Sequence, residues 1–308
     1  MRAFRRLRDK EYVMTRKIQT FRRANDTVFW GDAIAVLESE IPDASVDLVF
    51  ADPPYNLGKR FSEFVDRWPS ESAYVEWCER WLEICFRKLA NTGSLYLMAS
   101  TQCMPYLDIY LRERMSVLGR IAWHYDSSGV QAKRYYGSVY EPILYCVKDD
   151  SNYTFNSDAV AVEARTGSQR KLIDYRKPTP ALYNSRKVPG NVWYFPRVRY
   201  RMSEYEHHPS QKPESLLERI VKASSNPGDV VLDPFSGTFT TSAVAQRLGR
   251  VTIGVEIEEE YVKVGLRRLG IADQWNGERL APPHKPYIRK NGEQSRTPGS
   301  CQERLFQP

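Results

Sequence analysis

Four consecutive residues, Asp52-Pro53-Pro54-Tyr55, have the types needed to bind an exocyclic amine on an aromatic ring. Such an amine is a weak nucleophile, because its lone pair is delocalised into the ring. The Asp52 carboxylate can accept one of its N–H groups and the carbonyl of Pro53 the other, which frees the lone pair. The two prolines fix the backbone and donate no N–H. Tyr55 adds a flat face for stacking, so the tetrapeptide predicts an amine-binding site.

A second segment, residues 230–241, predicts a buried strand, a sharp loop and the start of a helix capped by Thr240 or Thr241. A helix start exposes N–H groups and a positive dipole end, which suits an anionic or carboxylate-bearing ligand. The next strand ends on Glu256, and an acid about 20 residues after such a loop binds ribose hydroxyls in nucleotide-binding α/β folds. Alone, Gly237 would be an ordinary turn glycine and Glu256 a solvated carboxylate. Together with the tetrapeptide they predict a cofactor site.

Alternating strands and helices position both segments. The predicted strands are 27–30, 47–51, 94–98, 118–125, 230–233 and 251–256, and the predicted helices are 33–40, 73–89, 214–224, 243–248 and 259–269. This alternation indicates a parallel sheet covered by helices on both faces. Asp52, Asp233 and Glu256 then all fall at strand ends, where ligands bind in open α/β sheets.

With these residues in place, the chain resembles the S-adenosylmethionine-dependent amino-methyltransferases of DNA over roughly residues 27–270. The matching blocks, in chain order, are Gly31-Asp32-Ala33, Ala51-Asp52-Pro53-Pro54-Tyr55-Asn56, Gly93-Ser94-Leu95-Tyr96, Glu141-Pro142-Ile143-Leu144, His208-Pro209-Ser210-Gln211-Lys212-Pro213 and Asp233-Pro234-Phe235-Ser236-Gly237-Thr238. Two further blocks, residues 125–133 and 187–193, resemble adenine-specific members of the family. An aspartate at the first tetrapeptide position is typical of adenine N6 enzymes, whereas a serine there would suggest cytosine N4.

The resemblance implies an α/β, Rossmann-like methyltransferase fold with a mostly parallel sheet, a circularly permuted motif order and an inserted DNA-recognition region. We expect a basic N-terminal tail (1–26), a catalytic half (27–125), a target-recognition region (126–207), a cofactor-binding half (208–272) and a flexible C-terminal tail (273–308).

The cofactor implied by the resemblance is S-adenosylmethionine. The residues expected to bind it are Asp32, Ser210, Gln211, Lys212, Asp233, Phe235, Ser236, Gly237, Thr238, Thr240 and Glu256. Lys212 is expected to pair with the cofactor carboxylate, with a solvated helix-entry lysine as the alternative. Asp32 is expected to accept from the adenine amine of the cofactor, or else to cap a helix.

One residue departs from the family pattern. The family's cofactor loop usually has a glycine where this chain has Phe239. The backbone would approach the cofactor closely there, so a large side chain puts the contacts around Phe239 in question.

The implied partner is double-stranded DNA, and a paired adenine must be flipped out of the helix to react. Tyr55 is expected to stack on the flipped base, and Trp123 is expected to form a second wall, with a core tryptophan as its alternative. Basic residues and tyrosines are concentrated in 126–207, where they suit phosphates and bases. The predicted DNA-binding residues are Lys133, Arg134, Arg170, Lys171, Arg197 and Arg199.

Composition agrees with this prediction. The chain of 308 residues has a net charge of +7, which suits a polyanionic partner without requiring one. Its five cysteines contain no CxxC pair, which favours reduced thiols and gives no metal site. The sequence has no apolar run long enough for a membrane helix and no secretory signal. We therefore expect a cytoplasmic, nucleoid-associated protein with no metal and no membrane partner.

Three alternatives remain at this level. The same chemistry could act on cytosine N4 or on an amine in RNA or protein. A DNA-binding regulator could keep an inactive methyltransferase fold, although the intact tetrapeptide argues against it. A dinucleotide-dependent oxidoreductase would need a Gly-x-Gly-x-x-Gly loop, which the sequence lacks. Whether the chain forms a homodimer, and whether a cognate restriction endonuclease exists, are left open.

Overall fold

The structure, a computed structural model, describes residues 17–61, 65–125, 133–164 and 170–282. Its strands are β1 (Gln19–Arg23), β2 (Asp26–Trp30), β3 (Val46–Ala51), β4 (Leu89–Met98), β5 (Ser116–His124), β6 (Tyr140–Val147), β7 (Val162–Glu163), β8 (Ile173–Asp174), β9 (Ala181–Leu182), β10 (Arg186–Lys187), β11 (Val192–Tyr194), β12 (Val230–Asp233), β13 (Val251–Glu256), β14 (Gln274–Trp275) and β15 (Glu278–Arg279). Its helices are α1 (Ala33–Ser39), α2 (Glu71–Lys88), α3 (Met104–Arg112), α4 (Ser157–Val160), α5 (Glu214–Ser224), α6 (Thr240–Arg247) and α7 (Glu259–Arg268).

Nine strands form one sheet in the order β1-β2-β13-β12-β3-β4-β6-β5-β11. The pairs from β2 to β4 are all parallel, as is β5 with β11, while β1–β2, β4–β6 and β5–β6 are antiparallel. The predicted α/β class with a mostly parallel sheet is confirmed. The key neighbours are β3 and β12, where Leu48 pairs with Val231 and Val49 with Leu232.

Helices cover both faces of the sheet, because successive strand residues point to opposite sides. In β3, Val49 and Ala51 belong to a core cluster shared with α1, α2 and α3, whereas Leu48 and Phe50 pack in a cluster shared with α5 and α6. A third cluster joins β2 to α7 around Val28 and Leu266. This burial holds the strand ends that carry the site in fixed relative positions.

The predicted tails are shorter than expected. Residues 19–23, placed in a basic tail over 1–26, form edge strand β1 against β2. Residues 274–279, placed in the flexible C-terminal tail, contain the β14–β15 hairpin, whose Trp275 ring lies 5.6 Å from Phe21 and 5.4 Å from Trp30. These aromatic contacts explain why residues 274–279 adopt a defined structure. Phe21 and Trp30 are too distant in sequence from Trp275 for the contacts to be predicted from a local pattern. The tail predictions for 1–16 and 283–308 lie outside the described residues.

The region 126–207 is also not a simple insertion. Its residues 140–147 form β6, a central strand between β4 and β5, because Ile143 to Val147 are all buried. Its residues 192–194 form β11 at the sheet edge, parallel to β5. The described remainder holds two small two-stranded sheets, β7 with β10 and β8 with β9. Residues 126–132 and 165–169 of this region lie outside the described residues.

No helix among the described residues is both long and apolar enough to cross a membrane. Within the same residues, no group of three or more histidines, cysteines or acids is arranged to hold a metal ion. The four described cysteines are buried free thiols.

Candidate active site

The tetrapeptide follows the carboxyl end of β3 and is held there by the loop behind it. Asp66 accepts from the backbone N–H of Asn56 at 2.6 Å and of Leu57 at 3.2 Å. Asn56, whose φ is +58°, in turn accepts from the N–H of Trp68 through its side chain. The hydroxyl of Tyr55 donates to Oδ1 of Asp52 at 2.5 Å. The turn is therefore fixed on both sides, and the Asp52 carboxylate has a defined orientation.

Two residues from elsewhere in the chain complete a polar network around Asp52. Nζ of Lys212 lies 2.6 Å from Oδ2 of Asp52 and 3.6 Å from Oε2 of Glu141. The Tyr55 hydroxyl also lies 3.3 Å from Oε2 of Glu141. Glu141 begins the apolar run of β6 and was given no role from the sequence, since nothing local links it to residue 55.

Burial and charge shift the pKa values of this network in a consistent direction. Burial alone would lower the pKa of Lys212, but the carboxylates of Asp52 and Glu141 outweigh it and raise that pKa above its usual value. Burial, then the charges of Asp52 and Glu141, raises the pKa of Tyr55 well above its usual value. Lys212 therefore stays an ammonium and Tyr55 a neutral phenol at neutral pH.

Asp233 ends β12, directly beside the tetrapeptide strand. It accepts from the hydroxyl of Thr241 at 2.5 Å and from the N–H of Phe235 at 3.0 Å. Burial raises the pKa of Asp233 to about 7, and the nearby Asp52 charge adds to the shift. Ser236 stays close to the strand ends, because its N–H donates to the carbonyl of Val255 at 2.9 Å.

Glu256 ends β13 and is surrounded by backbone donors. Its carboxylate accepts from the N–H groups of Gly237, Ile257 and Glu258, each at 2.8 Å. Burial raises its pKa to about 7 even though these hydrogen bonds act in the opposite direction. The predicted pair of acids thus lies at the carboxyl ends of adjacent strands.

Asp32 lies near this edge, since the N–H of Gly31 donates to the carbonyl of Glu256 at 3.0 Å. Its side chain accepts from the N–H of Ala35 at 3.0 Å and caps α1. The alternative role as a helix cap is therefore observed.

Phe239 stands where the family usually has a glycine, and its side chain is accommodated inside the fold. It is the N-cap of α6 in the left-handed region, with φ +57°, and it is fully buried. A Cβ atom added to Gly254 would lie 2.6 Å from the Phe239 ring, and one added to Gly265 would overlap the same ring. The ring therefore points into a socket between β13 and α7. We predicted that Thr240 or Thr241 caps α6; instead α6 begins at Thr240, and the Thr240 hydroxyl lies 3.0 Å from that of Thr238.

The segment 208–212 lies between the cofactor loop and Asp52. Gln211 accepts from the N–H of Glu206 at 2.8 Å and donates to the carbonyl of Glu204 at 2.6 Å, so its side chain holds its own loop. The N–H of Ser210 donates to Nδ1 of His208 at 3.2 Å. Lys212, expected at the cofactor carboxylate, instead pairs with Asp52. The Ser210 and Gln211 contacts lie within residues 204–211, whereas Lys212 contacts Asp52 after β3. The role of these three residues in binding the cofactor stays a prediction.

His208 is a site residue that sequence reasoning missed. A Cβ added to Gly237 would lie 3.3 Å from its Nε2, and its ring meets that of Tyr261 at 4.5 Å. Burial, followed by the charges of Lys212 and Lys59, lowers its pKa to about 3. His208 is therefore a neutral imidazole against Gly237 of the predicted cofactor loop. Its position within the matching block 208–213 was the available signal.

Trp123 is 1% exposed and packs in the cluster shared with α5 and α6. Its indole N–H donates to the carbonyl of Phe195 at 2.9 Å, and its ring meets Tyr125 edge-on at 5.4 Å. This matches the alternative of a core tryptophan. One side of it nevertheless lines a cavity of about 250 Å³ whose other lining residues include Glu141, Arg197, Arg199, His208 and Lys212.

Two of the predicted DNA-binding residues, Arg197 and Arg199, thus line the cavity beside the tetrapeptide network. The Arg197 guanidinium lies 4.9 Å from the centre of the Tyr125 ring. The other four, Lys133, Arg134, Arg170 and Lys171, are exposed on the surface of the described region and contribute nothing to this cavity.

Comparison with known proteins agrees with this geometry. Residues 46–267 match the N6/N4 methyltransferase family model, described as DNA methylase. The chain is 57% identical over 270 residues to DNA adenine methyltransferase YhdJ of Escherichia coli (strain K12), covering 88% of this chain and 90% of that protein. It is 34% identical over 249 residues to type II methyltransferase M.HpaI of Haemophilus parainfluenzae, covering 80% and 74%.

Solved structures give the same assignment of fold. The M1.HpyAVI–SAM complex matches with a TM-score of 0.52 and 25% identity, covering 79% of this chain and 100% of that one. The cytosine-N4-specific PvuII DNA methyltransferase matches with a TM-score of 0.61, at 18% identity, covering 80% of this chain and 86% of that one. The chain therefore belongs to the N6/N4 family of DNA methylases.

Proposed function

We propose that this protein transfers a methyl group from S-adenosylmethionine to N6 of an adenine in DNA. The observation that carries the proposal is the adjacency of Asp52 and Asp233. Asp52 follows β3 and Asp233 ends β12, which pair in parallel. An amine acceptor and a cofactor carboxylate therefore share one edge of the sheet.

The residues at this edge fit S-adenosylmethionine by the chemistry of their donors and acceptors. Asp233 and Glu256 are buried carboxylates, suited to an ammonium group and to ribose hydroxyls. Asp32 lies beside them, and the loop from Phe235 to Thr238 lies between them. When bound, the cofactor would supply a sulfonium methyl for the adenine N6, and the proton that N6 releases would pass to water through Asp52, its hydrogen-bond acceptor.

The tetrapeptide prepares the amine. Asp52 accepts one N–H of the adenine N6 and the Pro53 carbonyl accepts the other. These two hydrogen bonds favour a pyramidal nitrogen whose lone pair is no longer delocalised into the ring and can attack the methyl group. Two fixed acceptors require no reorganisation during the reaction, and this preorganisation is a major source of catalysis. The aromatic ring of Tyr55 supports the flipped base by stacking, while its hydroxyl keeps Asp52 oriented.

Adenine is favoured over cytosine by two independent features. The tetrapeptide begins with aspartate, which the family resemblance associates with adenine, and the 57% identical relative is named a DNA adenine methyltransferase. The cytosine-N4-specific structure shares 18% identity and supports only the fold.

DNA recognition is assigned to the described parts of 126–207 outside β6. Support comes from Arg197 and Arg199, which line the cavity at the tetrapeptide, and from Lys133, Arg134, Arg170 and Lys171, which are exposed within the same region. We place the protein in the cytoplasm, on the nucleoid DNA that it would modify.

The proposal is tested by incubating the protein with methyl-labelled S-adenosylmethionine and, separately, with DNA, RNA or protein. Each product is digested and separated, with nucleosides identified by mass spectrometry. We expect the label in N6-methyladenine from DNA. Label in N4-methylcytosine, in RNA or in protein would contradict the proposal, as would no transfer to DNA from cells lacking the gene.

A further inference from the structure

Lys212 is buried in a polar environment, and the proposed methyl transfer has not yet required its ammonium group. Its side chain is 7% exposed, and its ammonium lies 2.6 Å from Asp52, 3.6 Å from Glu141 and 3.2 Å from the carbonyl of Ser210. A buried lysine requires an acceptor for each N–H, and here three acceptors surround it. One of them is the carboxylate assigned to the adenine amine.

The ammonium also faces the space that a flipped base would occupy. It lies 5.6 Å from the centre of the Tyr55 ring, which is the proposed stacking surface. Lys212 and Glu141 line the cavity of about 250 Å³ beside it. A base stacked on Tyr55 with its amine at Asp52 would bring its adjacent ring nitrogen toward Lys212.

The pair Asp52–Lys212 presents an acceptor beside a donor. Adenine presents the complement on its Watson–Crick edge, because N6–H donates and the neighbouring N1 accepts. Cytosine shares this order through N4–H and N3. Guanine and thymine present a carbonyl beside a ring N–H, which is the reverse order. Their carbonyl would face the Asp52 carboxylate, and their N–H would face the Lys212 ammonium.

We infer that Lys212 contacts the target base directly and donates a hydrogen bond to N1 of adenine while Asp52 accepts from N6. This inference rests on the proposed function and names the base-orienting residue of the same site. Glu141 serves as the second acceptor for the ammonium, so that Lys212 can turn away from Asp52 without losing a charged partner. Lys212 would then select bases that carry an amine next to an unprotonated ring nitrogen.

The sequence predicted a different role, in which Lys212 binds the cofactor carboxylate. The structure shows both of its charged contacts on the amine-binding side. The charged and titratable groups around it are Asp52 and Tyr55 after β3, Tyr125 after β5, Glu141 on β6, His208 before α5 and Asp233 on β12.

The test replaces one atom of the substrate. Once the methylated site has been mapped at single-base resolution, duplexes are made with adenine, 1-deazaadenine or 7-deazaadenine at that position. The first analogue keeps the amine but lacks N1, and the second lacks an atom that Lys212 does not contact. Because 1-deazaadenine pairs more weakly with thymine, it flips out of the duplex more easily than adenine does. A lower kcat/KM with this analogue therefore cannot be caused by a higher cost of base flipping.

For the wild type we expect kcat/KM to fall at least about tenfold with 1-deazaadenine, the size of one lost hydrogen bond to a charged donor, and to be nearly unchanged with 7-deazaadenine. Lys212→Met should be slow on adenine and should lose the preference for adenine over 1-deazaadenine. Lys222→Met, on the helix α5 that follows Lys212 and paired with Glu218 away from the cavity, should behave as the wild type.

If the wild type has the same kcat/KM on adenine and on 1-deazaadenine, the inference is overturned. This result needs no variant, so the test still decides if Lys212→Met fails to fold. The same adenine preference in folded Lys212→Met overturns it too. The affinity for S-adenosylmethionine, measured by titration calorimetry, should change less than about threefold in Lys212→Met. A loss of affinity of about tenfold or more would show that Lys212 binds the cofactor instead. A protein that methylates cytosine alone refutes the proposed adenine activity, whereas the outcomes above refute only the role of Lys212.

Discussion

The hydroxyl of Tyr55 donates to Oδ1 of Asp52 over 2.5 Å, so the proposed stacking residue and the proposed amine acceptor are held together by a hydrogen bond. Tyr55 therefore has two separable contributions, its ring and its hydroxyl. Tyr55→Phe keeps the ring, and we expect a loss in kcat of roughly threefold to tenfold from the lost orientation of Asp52.

Tyr55→Ala removes the stacking face as well. We expect its kcat/KM to fall more on an adenine paired in a duplex than on a mismatched adenine, because a mismatched base costs less to flip. Steady-state assays on the two duplexes measure this. Equal losses on both substrates would show that the ring does not stabilise the flipped base.

Asp233, proposed to bind the cofactor, is also expected to affect the stability of the fold. Burial raises its pKa to about 7, above about 3.9 for a free aspartate. Between those values the folded chain keeps a proton that the unfolded chain releases, so the stabilisation present at low pH is lost as pH rises through 7. Asp233→Asn removes the buried charge, and the Thr241 hydroxyl can reverse its hydrogen bond to the new amide.

We therefore expect Asp233→Asn to melt a few degrees above the wild type at pH 8, with the gap narrowing as pH falls below 7 and closing toward pH 4. Its affinity for S-adenosylmethionine should fall by about tenfold, the size of a charge-assisted hydrogen bond. Thermal unfolding across pH and cofactor titration measure the two effects. A gap in melting temperature that is independent of pH would refute the assigned ionisation.

Phe239 is expected to hold the cofactor loop through its buried ring. Phe239→Gly relieves a left-handed backbone but empties the socket, and we expect a net loss of roughly 2–4 kcal/mol in the free energy of unfolding. Gly265→Ala should strongly destabilise the wild type, because its new methyl overlaps the ring. In the Phe239→Gly background the same change should cost much less. Urea unfolding of the four proteins measures this coupling, and additive effects would contradict the socket.

Arg197 is expected to contact DNA phosphate beside the site. Arg197→Ala should weaken DNA binding and lower the slope of log affinity against log salt by about one. Arg80→Ala, on exposed α2 surface, is the matched control and should leave both unchanged. Fluorescence anisotropy at several salt concentrations gives both quantities. An unchanged salt slope in Arg197→Ala would argue against a phosphate contact.

The sequence predicted the parts of this site that local patterns encode. The strands before Asp52, Asp233 and Glu256 are short apolar runs ending on an acid, and their pairing follows from the parallel α/β arrangement. The pairing of Lys212 with Asp52 and with Glu141 depends on where the 208–212 loop and β6, two strands away from β3 in the sheet, lie relative to the tetrapeptide, which no local pattern encodes. The same holds for the Phe239 ring, whose direction depends on the absence of side chains at Gly254 and Gly265.

In the proposed mechanism, Asp52 acts on the amine and not on the cofactor. Asp52→Ala should bind S-adenosylmethionine within about threefold of the wild type, while its single-turnover rate of methyl transfer to DNA falls by about a hundredfold or more. Measuring both on the same preparation tests the claim most directly. A single-turnover rate near that of the wild type would contradict it. So would a rate that falls only by the same factor as the affinity for S-adenosylmethionine.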